Sequence, residues 1–174
     1  MATYTWFNGG ISMQHHLPGE APFMANIDIP KLIAETGPMK TANTSNVKTA
    51  PAATGFAAAD VLQVFEVLAG FVVTPLVGAW VTTVEGGAAT ADIGNASATQ
   101  THRLAADAVG LMGTFDLNTL TAQISLVADT HLGFNTYQGV VFITNGTIDI
   151  TFVTAATAAA IFDVWAMGNQ CFYA

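Results

Sequence analysis

Four histidines, four serines and one cysteine are among the side chains of this chain that could ligate a metal or attack a substrate. His15 and His16 are adjacent, so they do not share a helix face, and no cysteine or carboxylate stands at metal-ligand spacing beside them. His102, next to Arg103, has no nearby His or Cys, and with His131 it completes a scattered set. Ser12, Ser45, Ser97 and Ser125 lie in no Gly-x-Ser-x-Gly turn that would expose a nucleophile. Cys171 has no basic residue within ten positions to lower its pKa, and it reads as an edge or interface thiol. Asp116-Leu-Asn118 resembles a fragment of a calcium loop but lacks the glycine and the terminal glutamate, so it reads as a strand end. The acids occur singly, and Glu85-Gly-Gly87 lacks the lysine and helix of a phosphate-binding loop. Catalysis needs clustered titratable groups. The chain is therefore not expected to be an enzyme, and neither a cofactor nor a metal is expected.

Charge is scarce and uneven. Hydrophobic residues make up 52% and charged residues 9%, against about 25% charged in ordinary soluble domains. Lys31, Lys40 and Lys48 balance Glu20, Asp28 and Glu35 before residue 50, while Arg103 is the single base after it. The net charge of −8 therefore falls on residues 50–174. A body with so few cations cannot neutralise phosphates or be drawn to anionic headgroups. No nucleic-acid or membrane partner is expected. The uncharged stretch from Val67 to Val84 is interrupted by Gly70, Pro75 and Gly78, so it reads as two buried strands joined by a turn. The first ten residues lack the basic and apolar regions of an export signal. One cysteine excludes an internal disulfide framework.

The elements that would position these residues are strands. Runs at 60–67, 76–84, 88–93, 114–117, 136–143, 147–153 and 160–166 are rich in β-branched and aromatic residues and are separated by turn signals. Asn145-Gly146 predicts a tight hairpin. In 147–153, Ile148, Ile150 and Phe152 alternate with Thr147, Asp149 and Thr151, which predicts a strand with one covered face. Leu120, Ile124 and Val127 fit either a helix or a strand. Seven or eight short strands predict an all-β, antiparallel β-sandwich, with a jelly roll as the expected winding.

Five of the six prolines fall between positions 18 and 51, which disfavours long helices and central strands there. Residues 1–55 accordingly read as an extended N-terminal arm, hinged at 42–55, ahead of a sandwich domain at 56–174. The arm lies either on another surface or on its own domain as edge strands. The side chains expected to contact a partner are Trp6, Phe7, Phe23, Met24 and Ile27 in the arm, with Phe172 and Tyr173 at the C-terminal end. Trp80, Trp165, Tyr137 and Phe134 could line a sugar-stacking face. Because Trp80 and Trp165 sit inside apolar runs, they are expected to fill the core.

The segments Asp60–Val67, Trp80–Gly94, Phe115–Asn118, Thr147–Thr151 and Val164–Ala166 together resemble small virion structural proteins of tailed bacteriophages. The resemblance covers about two-thirds of the chain, is one of sequence style, and carries no catalytic residues. It implies a capsid decoration, or cement, protein. Such a protein would be made in the host cytoplasm, would form a homotrimer, and would bind the major capsid protein on the assembled virion surface. A head fibre, a tail component or a carbohydrate-binding attachment module are the alternatives. On this reading, residues 56–174 fold without the arm.

Overall fold

A computed structural model describes residues 3–5, 10–12, 20–34, 40–41, 54–95, 107–126, 140–154 and 157–170. The strands are β1 (Thr3–Thr5), β2 (Gly10–Ser12), β3 (Glu20–Asp28), β4 (Lys40–Thr41), β5 (Val61–Val67) and β6 (Phe71–Thr83). They continue with β7 (Thr90–Asn95), β8 (Asp107–Asp116), β9 (Ala122–Leu126), β10 (Val140–Val141), β11 (Gly146–Phe152) and β12 (Ile161–Gln170). The ambiguous segment around Ile124 is thus a strand. Its residues 122–126 are held along β6 from Leu76 to Trp80.

Two sheets form. The first runs β4-β1-β5-β11-β7-β8 and the second β10-β6-β12-β3-β2, with β9 beside β6. All ladders are antiparallel except β1 on β5. β5 pairs with β11 in the first sheet, while their successors β6 and β12 pair in the second. The chain therefore crosses between layers twice in parallel places, which locks the sheets face to face. The all-β sandwich is as expected. Strand count does not specify winding, and this strand order does not by itself establish a jelly roll.

Two local expectations change. Residues 71–83 form one continuous strand, not two strands around Pro75, and the turn precedes it at 68–70. Proline has no N–H to donate. Pro75 is accommodated between the stretch paired with β10, at Val72 and Val73, and the stretch paired with β9, from Leu76. The β12 ladder also shifts register there, between Ala166↔Val77 and Gly168↔Val73. Asn145-Gly146 is likewise no hairpin, because β10 belongs to the second sheet and β11 to the first. It is the end of an arch between layers, stacked on the arch at 68–70. Ala69 N donates to Asn145 Oδ1 at 3.0 Å, and Gly70 N donates to Phe142 O at 2.7 Å. Gly70 takes φ 83°, a conformation that favours glycine.

The core lies between the layers. Leu62, Phe65, Ile150 and Phe152 face it from the first sheet, with Val77, Val81, Phe162 and Val164 from the second. Phe115 meets Phe162 edge to face across the gap at 5.6 Å, and Phe56 stacks on Phe152 at 4.5 Å. Val64 of β5 has no opposite residue, since the register passes from Phe65↔Ile148 to Gln63↔Asp149. The bulge explains why Val64 and Phe65 are both buried in succession. The outward residues Thr147 and Asp149 of β11 are buried too, so this interior strand is covered on both faces, unlike the half-buried strand expected.

The described parts of residues 1–55 belong to these sheets. β3 is an interior strand, paired with β12 from Glu20 to Asp28 and with β2 on its other side. Asp28 caps the short helix α1 (Ile29–Ala34), accepting from Lys31 N at 3.0 Å. Pro30 sits in the first turn, where its missing N–H has no helical partner to lose. Ile27, Ile29 and Leu32 are part of the shared core. A boundary at residue 55 therefore does not divide the fold.

Candidate functional site

Strand alternation determines which side chains leave the core. In β6, Val77, Ala79 and Val81 are buried, so Gly78, Trp80 and Thr82 point away from the first sheet. In β12, Phe162, Val164 and Ala166 point inward, which turns Ile161, Asp163, Trp165 and Met167 outward. In β3, Ala25 and Ile27 are buried while Met24 and Asn26 are exposed. The outer face of the second sheet thus carries two tryptophans, two methionines and a polar pair.

The register arranges them in rows. Ala122, Trp80, Asp163 and Asn26 lie side by side on β9, β6, β12 and β3. In the next row, Gly78 lies beside Trp165, which lies beside Met24. Trp80 is 57% exposed and Met24 54%. Trp165 lies across Gly78: a Cβ built there would stand 2.4 Å from Cε2 and Cζ2 of the indole, so the position accepts no side chain without moving the ring. Asn26 Nδ2 donates to Asp163 Oδ1 at 2.7 Å, which holds the amide and the carboxylate beside Trp80. Thr82 Oγ1 donates to Ile161 O at 3.0 Å on the same face.

Trp80 is therefore not a core residue, contrary to expectation, and Trp165 is only partly covered. The apolar run around Trp80 concealed its orientation. The signal was available in its period-two neighbours, Gly78 and Thr82, which are poor core fillers. Tyr137 and Phe134 lie outside the described residues. Of the expected contact residues, Met24 is exposed and Ile27 is fully buried in the chain's own core. Phe23 lies in β3, paired with Ala166 and Ser12. Trp6, Phe7, Phe172 and Tyr173 lie outside the described residues, as do His15, His16, His102, His131 and Cys171.

Two further acids, Asp116 and Asp92, are held by hydrogen bonds at and near the end of β8. Asp116 accepts from Asn118 N, Asn118 Nδ2 and Thr119 Oγ1, at 2.8, 2.8 and 2.6 Å. These bonds, Thr119 foremost, hold its carboxyl below the usual range. The Gln123 amide grips the Asp116 backbone by both its N–H and C=O, closing the connection from β8 to β9. Burial pushes the Asp92 carboxyl up, partly offset by bonds from the Thr114 backbone and side chain. Thr114 itself is held at φ 53°, unusual for a β-branched residue. Among the described residues, no group of three His, Cys, Asp or Glu could hold a metal ion.

The fold and this face together define an all-β sandwich with a charge-poor, aromatic outer sheet. No family model matches the chain, and no curated protein matches it. Among solved structures, it is similar to a chain of the capsid of Ralstonia phage GP4, with a TM-score of 0.43 and 13% identity. That alignment covers 88% of this chain and 86% of the other. A likeness this loose carries no argument about function.

Proposed function

We propose that the protein is a non-enzymatic structural component of a phage virion, and that it decorates the assembled head and strengthens contacts between capsomers. The sequence resemblance to small virion proteins motivates this reading. The observation that carries it is Met24, more than half exposed in an interior strand of a chain with only 9% charged residues. Large apolar side chains on an outer face favour lasting burial against another protein. The reading places the major capsid protein against the outer face of the second sheet at Met24, and three copies of the chain about a local symmetry axis. Added buried area between capsomers would oppose the pressure of packaged DNA.

Light scattering and co-sedimentation with assembled shells test the proposal. The expected results are a mass about three times the 18.1 kDa chain and sedimentation with shells but not with loose capsid subunits. Met24→Glu should weaken shell binding at least tenfold without unfolding the chain. Undiminished binding by that variant, or no binding to any shell, overturns the proposal.

A further inference from the structure

We propose that the β6 side of the same outer face, centred on Trp80, binds neutral glycans. The inference goes beyond the virion reading and does not depend on it. Trp80 projects from the middle of the sheet, with the small Ala122 on one side and Asp163 on the other in the ladder. Neighbouring strands lie about 4.8 Å apart, so the row from Trp80 through Asp163 to Asn26 extends roughly 10 Å. One end is the exposed Trp80 indole, 57% accessible. The other is a carboxylate and an amide bonded to each other at 2.7 Å. Trp165, lying over Gly78 in the neighbouring row, continues the apolar surface beside Trp80.

A pyranose ring has the matching chemistry: C–H groups across one face and hydroxyls around its rim. The C–H face stacks on the Trp80 indole, while rim hydroxyls donate to the second oxygen of Asp163 and the amide oxygen of Asn26. Among the described residues, neither of those oxygens accepts a hydrogen bond. A protein partner is less well matched at this end, because interface centres are depleted of charged groups and Asp163 stands in the middle of the row. Charge restricts the class further. The chain carries −8 overall, and the row contains an acid and no base. Sialylated, uronic and phosphorylated glycans are disfavoured, and neutral hexose polymers are accommodated.

The test uses the full chain on an array of neutral and acidic glycans, followed by fluorescence titration with the neutral glycan that gives the strongest signal. Cellohexaose and maltohexaose are titrated in parallel. Binding to a neutral glycan should shift the tryptophan emission. Trp80→Ala should weaken it at least tenfold, and Asn26→Ala should weaken it several-fold, with the circular dichroism spectrum unchanged. Three results would each overturn the proposal: no binding to any neutral glycan, binding confined to acidic glycans, or binding that survives Trp80→Ala. Conversion of an oligomer to a monomer by Trp80→Ala would instead make this surface a subunit contact and would also overturn it. Loss of shell binding in Met24→Glu with glycan binding retained separates the two sites.

Discussion

Asp92 and Asp116 respond to pH in opposite senses, for reasons confined to their immediate surroundings. Burial raises the Asp92 carboxyl, so the folded chain holds its proton more tightly than the unfolded chain does. As pH rises from the unfolded carboxylate value of 3.8 through the raised folded value, this group removes stability. Asp92→Asn keeps an oxygen to accept from Thr114 N and removes the buried charge. The variant should unfold at higher urea than the parent at pH 7, and the difference should vanish below about pH 3.5, near the unfolded carboxylate value. Equal midpoints at pH 7 would show that the charge costs nothing there. Asp116 contributes in the other direction. Its lowered carboxyl adds stability above the unfolded value, and that contribution is lost as pH falls through the folded value. Identity and spacing show both aspartates in the sequence. The partners that lower Asp116 stand two and three residues further along the chain, whereas the burial that raises Asp92 is set only by folding.

At the scale of elements, the layers are held together where the chain crosses between them. Glu85 follows β6, and its carboxylate accepts from three consecutive backbone N–H groups, at Ala158, Ala159 and Ala160, at 2.7–2.8 Å. Those residues lead into β12. One side chain thus ties the β6–β7 crossing to the β11–β12 crossing, next to the Gly86 and Gly87 turn with φ 82° and 93°. Glu85→Ala leaves these donors without their charged acceptor and should cost about 1–3 kcal/mol, read as a lower urea midpoint. Glu85→Gln, which retains one acceptor oxygen, should fall between the two. The turn at 85–87 was legible from its glycines. The clamp was not, because its donors are backbone groups 73 to 75 residues away and leave no mark in composition. Asn145-Gly146 makes the same point in reverse. Turn chemistry indicates that a chain changes direction, whereas the sheet it joins next depends on which long-range ladder wins.

For the whole molecule, the first 34 residues are part of the sandwich as far as they are described. β3 covers one side of β12 over nine paired positions, and Ile27, Ile29 and Leu32 supply core. Deleting residues 1–55 should therefore abolish cooperative unfolding, instead of leaving an intact domain that has lost its contacts. Circular dichroism and a urea titration of residues 56–174 check this. A sharp transition at the parent midpoint would mean that β3 is dispensable. The prolines drew attention away from this role. Pro22 pairs with Met167 inside β3, in a strand otherwise suited to a ladder.

The sequence by itself determined the all-β character, the scarcity of charge and the positions of most strands. These follow from local causes: β-branched runs, alternation with period two, and glycine at turns. The tertiary structure decided where the described parts of residues 1–34 pack, that Pro75 lies within one long strand, and that Trp80 faces outward beside Asp163 and Asn26. Each of these depends on the pairing of strands distant in sequence. Such pairing is selected by the combined burial of both layers, and no single segment encodes it.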